Sequence, residues 1–290
     1  MRLLIIILMR KNKHSLLIII LLVNFFSFNT HSFSSDGLKD HKTIWQNIGD
    51  DIVISLKDAG AYYTAPLHFS GKEWIYTGAV VGGTVLIMAT DKETKKQLGR
   101  NTTTSINHDL WDVPYYYGDA LYAGAFSGGV YAFGLFTRSD DIRVTGRLML
   151  ESLAFAGSVT LVLKSVFGRE RPYVTDNQWN FKWFQTKNDF ASFPGGHSTV
   201  TFALSTVLAE RIHNVWASIG LYGFAGLTAI SRVVNNQHWF SDVVFGSVLG
   251  LGAGYFVVYR EEEREKQPGH GSGGLSIYPS MNGLNVVWRF

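Results

Sequence analysis

The chain of 290 residues has no cysteine. Disulfide staples and thiolate metal sites are thereby excluded. Charge is scarce as well. Asp, Glu, Lys and Arg make up 17% of residues, against roughly 25% in ordinary soluble domains. No Lys/Arg-rich run follows the N-terminus and the formal net charge is only +3. The electrostatic footprint of a nucleic-acid-binding protein is missing, and nucleic acid is not an expected partner. What is abundant is apolar side chain, 46%, and glycine, 30 residues. A chain of this length and composition can bury a sizeable core.

The apolar residues are unevenly placed. Arg2, Arg10, Lys11 and Lys13 surround the start of an almost wholly apolar stretch, Leu16 to Phe26, and polar residues follow to Ser35. A basic region, a short apolar core and a polar exit describe a secretory signal. The exit lacks an A-x-A pattern, so an uncleaved anchor is the alternative. Residues 1–35 are read as signal or anchor, 36–73 as a lead-in with a short amphipathic helix, 74–260 as a helical bundle, and 261–290 as linker and tail. In that tail, Leu275–Tyr278 and Val286–Phe290 flank Asn282-Gly283, a hairpin turn signal.

Six apolar segments fill the bundle region: Trp74–Thr90, Ala120–Thr137, Leu148–Val166, Ser198–Ala209, Val215–Ile230 and Val243–Tyr259. The predicted fold class is all-α, a six-helix bundle. Most segments approach the roughly 17–25 residues that cross a bilayer, so the bundle is expected to be membrane-embedded. The segment at Ser198 is too short to span, which keeps a soluble periplasmic bundle as the alternative. Small residues recur one turn apart at Gly78/Gly82, Gly124/Gly128 and Gly246/Gly250/Gly254, a pattern that lets helix backbones approach closely.

Three stretches at helix ends carry polar chemistry. In SRVVNNQHWFSD, Ser231 to Asp242, His238 and Asp242 are four apart. On one helix face the carboxylate could accept a hydrogen bond from the imidazole and leave the other ring nitrogen free as base, nucleophile or ligand. Arg232 lies just before. In KSVFGRERP, Lys164 and Arg171 are seven apart, nearly two turns, and Gly168 and Pro172 end the helix. Cations at the mouth of an apolar helix are costly unless an anion meets them. Arg169 reads better as a headgroup-snorkelling side chain. In SFPGGHST, Pro-Gly-Gly precedes a helix whose free N–H groups make an anion site. His197 sits at that end, with Ser198 or Thr199 as expected caps. Tyr115–Tyr117 reads as an interfacial anchor. Together the stretches suit a tetrahedral oxyanion flanked by two histidines. A metal fits less well, since too few carboxylates converge.

Taken together, these stretches resemble the type 2 phosphatidic acid phosphatase superfamily, which includes membrane lipid phosphatases, bacterial soluble acid phosphatases and vanadium haloperoxidases. The family pattern K-x6-R-P matches Lys164–Pro172, S-R-x5-H-x3-D matches Ser231–Asp242, and P-S-G-H matches Pro194–His197 with Gly195 in place of serine. The resemblance covers roughly residues 115–259. It implies that His238 is a nucleophile forming a phosphohistidine, that Asp242 orients it, and that His197 protonates the leaving alkoxide. It implies that Lys164, Arg171, Arg232 and the Gly196 N–H, beside Gly195 and Ser198, hold the phosphoryl group, and that no metal or other cofactor is needed. The expected partner is a phosphorylated lipid such as phosphatidate, a polyprenyl pyrophosphate or lipid A, or else a small phosphate ester. The resemblance implies a bacterial cell envelope with the site outside the cytoplasm, or else a periplasmic protein; a removed signal followed by six spanning helices would instead put the site on the cytoplasmic side, which the basic loop of Lys92, Lys95, Lys96 and Arg100 also favours. The missing serine hydroxyl puts catalytic strength in doubt and keeps a non-catalytic lipid-phosphate binder or transporter as an alternative; restoring the hydroxyl (Gly195→Ser) is expected to raise turnover or leave it unchanged.

Overall fold

The computed structural model describes residues 42–99, 115–266, 274–280 and 283–289. The signal or anchor at 1–35 and Asn282 of the predicted turn lie outside the described residues. The first helix, α1 (Ile44–Thr64), opens with a capping box in which Thr43 and Gln46 satisfy each other's backbone N–H groups. Two helices, α2 (Gly71–Met88) and α3 (Asp91–Leu98), form a pair bent by 56°. Then come α4 (Ala120–Thr137), α5 (Asp140–Phe167), α6 (Gly196–Ile212), α7 (Val215–Val234) and α8 (Phe240–Lys266). Two short strands, β1 (Gly274–Ser280) and β2 (Gly283–Arg289), pair antiparallel.

The helical fold class therefore stands, but six helices become eight of eight residues or more among the described residues. The additions have clear reasons. The predicted lead-in helix extends to a 21-residue α1. The basic stretch after α2 is a separate helix because the chain turns at Ala89–Thr90, where Thr90 Oγ1 donates to the Ile87 carbonyl. Four helices, α4, α5, α7 and α8, are long and apolar enough to cross a membrane, and the α2–α3 pair would make a fifth.

Helix α6 lies at the centre, packed by α5, α7 and α8. Residues from Ser198 through Ala209 are buried at all but one position. The close approach predicted from glycine spacing occurs at only one of the three places. A Cβ on Gly250 would stand 2.3 Å from the Thr199 carbonyl and 2.8 Å from the Ala203 nitrogen, and one on Gly246 would stand 2.4 Å from the Gly195 carbonyl. Glycine on α8 thus brings its backbone against the start of α6, where the site is built. Around Gly78, Gly82, Gly124 and Gly128 a Cβ would meet nothing within 4 Å. Those stripes face outward among the described residues.

The other end of the bundle is held by ions. Arg147 reaches Asp51, Glu151 and Glu261; Asp58 accepts from Arg260 and Arg264. Glu151, itself buried, accepts from Ser55 at 2.6 Å. These groups tie α1 to α5 and α8. Along α5, Arg147 and Glu151 lie roughly 26 and roughly 20 Å from Lys164 at the helical rise of about 1.5 Å per residue.

Gly250→Ala is expected to lower the melting temperature of the purified protein, because backbone atoms must move and overpacking costs about 1–3 kcal/mol. Gly82→Ala should leave it unchanged or raise it, since alanine is the better helix former by about 1 kcal/mol. Equal effects of the two would show that α8 does not pack on α6 through Gly250.

Candidate active site

The site forms where the C-terminal end of α5, the start of α6, the end of α7 and the start of α8 meet. Helix α5 stops because Gly168 takes a left-handed conformation, φ 53°, and a side chain there would collide with the Lys182 carbonyl. The chain then loops through 168–195 before α6 begins. Gly195 is the N-cap of α6, and no side chain caps it. Ser198 and Thr199 do not act as the predicted caps, because both hydroxyls donate to the Gly195 carbonyl. The N–H groups of Gly196, His197 and Ser198 precede the first intrahelical bond and have no acceptor within the helix. The N-terminus of α6 is thus open to an anion.

Three predicted cations surround this end. Lys164 donates to the Ala191 carbonyl, and a Cβ on Gly196 would stand 3.6 Å from Lys164 Cε. Arg171 is held by the Asn188 carbonyl and Oδ1, both at 2.9 Å, and by Gln237 Oε1 at 3.0 Å. Arg232 lies 5.4 Å over the Tyr115 ring, and its buried Nε has no hydrogen-bond partner among the described residues. None of the three forms an ion pair with a described carboxylate.

Both histidines feel these charges. Burial, then the positive charge of Lys164, Arg171 and Arg232, holds His238 well below its usual range. Burial, then chiefly Arg232, lowers His197 to about 3. Each imidazole is therefore held in its neutral form at pH 7. The Nδ1 of His238 lies 2.7 Å from the Ser192 carbonyl. A carbonyl only accepts, so Nδ1 carries the hydrogen and Nε2 carries a free lone pair. His197 Nε2 is buried without a hydrogen-bond partner among the described residues. Its ring lies 5.1 Å from that of Tyr115.

The predicted hydrogen bond from His238 to Asp242 is absent. Asp242 accepts instead from Arg169, from the Ser192 hydroxyl, and from the Trp239 backbone N–H at 3.0 Å. The reason is helix-end geometry. Asp242 sits in the first turn of α8, where its carboxylate turns back to satisfy an orphan N–H. Its link to the imidazole is indirect: it binds the Ser192 hydroxyl, and the Ser192 carbonyl binds His238. Ser192 was within the motif stretch but had no assigned role.

Two further readings change. Arg169 is no headgroup cation: it is 0% exposed and paired with Asp91 and Asp242. Tyr115 borders both His197 and Arg232 rather than only an interface. Ser198 belongs to the site through its backbone, since its hydroxyl lies where a Cβ on Gly195 or Gly246 would be, 2.7 and 2.6 Å away.

With this geometry in view, residues 145–266 match the family model described as PAP2 superfamily. Within the chain, 104 residues are 35% identical to a lipid A 1-phosphatase of Porphyromonas gingivalis, covering 35% of the chain and 20% of that protein. An acid phosphatase of Zymomonas mobilis is 33% identical over 91 residues, 31% of the chain and 34% of that protein. A lipid A 1-phosphatase of Rhizobium johnstonii is 30% identical over 110 residues, 36% of the chain and 43% of that protein. The chain thus spans between a fifth and about two fifths of the length of these relatives. No solved structure matches significantly.

The setting of Gly195 qualifies the expectation for a serine there. A Cβ would stand 2.7 Å from Ser198 Oγ, 3.0 Å from the Asp242 carbonyl and 3.2 Å from Val243 Cα. Gly195→Ser alone is expected to lower the melting temperature. Gly195→Ser with Ser198→Ala should recover most of that loss, since the nearest obstacle is removed. Thermal unfolding of the two variants checks this, and no recovery in the double variant would place the conflict at α8 instead.

Proposed function

We propose that the chain is a phosphatase acting through a phosphohistidine, with an amphiphile bearing a phosphate head as its substrate. The observation that carries this is the convergence of Lys164, Arg171 and Arg232 on two neutral imidazoles, beside a helix N-terminus that no side chain caps. Three cations without a carboxylate partner favour a phosphoryl dianion. They supply charge stabilisation that strengthens as the transition state forms.

The chemistry follows from the tautomers. The Nε2 lone pair of His238 forms a bond to phosphorus. The ester P–O bond breaks, its electron pair stays on the alkoxide oxygen, and His197 transfers its proton there. Water then attacks phosphorus and gives a proton to His197. The P–N bond breaks, the lone pair returns to Nε2, and inorganic phosphate leaves. His197 must be protonated for the first step, although burial and the three cations favour its neutral form. The bound dianion supplies the missing charge: it offsets the three cations and favours the imidazolium.

An amphiphilic substrate is supported by the surroundings. The loop carrying Arg171 exposes Trp179, Trp183 and Phe184, and Trp183 packs 5.4 Å from Phe167 at the end of α5. Leu161 and Val162 continue the exposed apolar surface along α5. Aromatic side chains of this kind sit at membrane–water interfaces. The relatives named lipid A 1-phosphatase favour the same reading, in a bacterial envelope. The relative named acid phosphatase favours a second reading, small phosphate esters in the periplasm.

Purified protein is expected to release phosphate from p-nitrophenyl phosphate in excess chelator, with vanadate inhibiting. His238→Ala should abolish turnover. A stable protein that binds vanadate but releases no phosphate would instead be a lipid-phosphate binder. For an alkyl phosphate, kcat should fall as pH rises through the pKa of His197 in the complex, because the acid form is lost. His197→Gln should remove that alkaline limb and lower kcat by about 10²–10⁴. Faster turnover of vesicle-borne lipid phosphate than of a short-chain ester decides between the two substrate classes.

A further inference from the structure

The helix α3 lies outside the PAP2 domain, 47 residues before its first residue if counted from Leu98 to Thr145. It nevertheless reaches the site with two charged side chains one turn apart, Asp91 and Lys95. Residues four apart share a helix face. Asp91 is 1% exposed, and its Oδ1 accepts from the Ser241 backbone N–H at 2.9 Å. Its Oδ2 accepts from the Ser241 hydroxyl and from Arg169 at 2.9 Å. Arg169 donates onward to Asp242 and to the Ser241 hydroxyl. Asp242 holds the Ser192 hydroxyl, and the Ser192 carbonyl holds His238 Nδ1. An unbroken hydrogen-bonded path therefore runs from α3 to the imidazole.

Lys95 serves the other wall. Its ammonium donates to the Pro172 carbonyl at 2.6 Å, the Thr175 carbonyl at 3.0 Å and Asp176 Oδ1 at 2.6 Å. These residues directly follow Arg171. Between the two walls stands Trp239, 1% exposed, with Lys95 5.6 Å from its ring and Arg169 5.4 Å from it. Its indole N–H donates to the Glu170 carbonyl at 2.8 Å. The tryptophan that follows His238 is thus fixed by the same helix and the same arginine.

We infer that α3 is a positioning element of the phosphoryl-transfer site, in which Asp91, through Arg169 and Asp242, sets the ring of His238, while Lys95 sets the loop that presents Arg171. This rests on the phosphatase reading of the site. The two side chains have separable consequences. Asp91 acts on the nucleophile, so its loss slows the chemical step without weakening the anion grip. Lys95 acts on an anion-binding arginine, so its loss weakens binding of substrate and of vanadate. Arg169 balances two buried carboxylates, and removing Asp91's charge leaves it with Asp242 alone.

The experiment compares the whole protein with Asp91→Asn and Lys95→Met, using p-nitrophenyl phosphate kinetics, vanadate binding by tryptophan fluorescence, and thermal unfolding. Asp91→Asn should lower kcat by about 10–100-fold, as expected for a small misplacement of a reacting group, with KM and vanadate affinity within about twofold. Lys95→Met should raise KM and the vanadate Kd by about 5–10-fold with kcat changed less than about threefold, and Lys95→Arg should restore both. Equal proportional changes in both parameters for both variants, or a kcat within twofold of the parent for Asp91→Asn, would overturn the inference. If the parent itself binds vanadate but releases no phosphate, the phosphatase reading fails. The vanadate arm then decides alone: a raised Kd in Lys95→Met supports the role of α3, and an unchanged one overturns it. If Asp91→Asn does not fold, the Lys95 pair of variants decides in the same way.

Discussion

The ion pair between Arg169 and Asp242 decides what the rest of the site can do. It joins the loop after α5 to the start of α8 in a place with no solvent access. A buried pair of this kind is weak evidence for stability, because desolvation opposes the Coulombic gain. Its consequence here is electrostatic sorting. Asp242 is paired with an arginine outside the proposed anion-binding set, one that it shares with Asp91. Lys164, Arg171 and Arg232 are left without an acidic partner, and their mutual repulsion persists until an anion arrives. The same pair gives Asp242 a fixed orientation, and through Ser192 gives one to His238.

Close helix packing makes this possible. Gly246 and Gly250 let α8 approach the first turn of α6. That approach puts the Gly195 N–H on the Asp242 carbonyl at 2.8 Å. The open N-terminus of α6 and the start of α8, which follows His238, are therefore held together by one contact between two helices. The ionic network at the other end of α5 and α8 holds α1 and has no link to this chemistry.

Much of the candidate site was legible in order and type. Lys164, Arg171, His197, Arg232 and His238 stand at helix ends in the sequence, and charged or imidazole groups in an apolar chain are costly unless they meet one another. The helix stop at Gly168 and the helix start at Gly196 follow from glycine and proline chemistry. Less legible was the partner of each group. His238 and Asp242 at a four-residue spacing suggest a direct bond, but the carboxylate sits in a first helical turn and is drawn to a backbone N–H. Arg169 lies two residues from Arg171 and looks interchangeable with it. Only the packing of α3 and α8 on either side separates a buried structural arginine from an anion ligand. Tyr115 and Ser192 carry no local pattern that marks them.

The sequence by itself determined that this is a helical, apolar chain with basic and histidine side chains gathered near helix ends, because those features depend on residue type and on short-range periodicity. The tertiary structure alone decided which carboxylate meets which cation, which ring nitrogen is left free, and that a helix far upstream closes the site. Those outcomes depend on contacts between segments up to 150 residues apart, and local spacing holds no information about such distances.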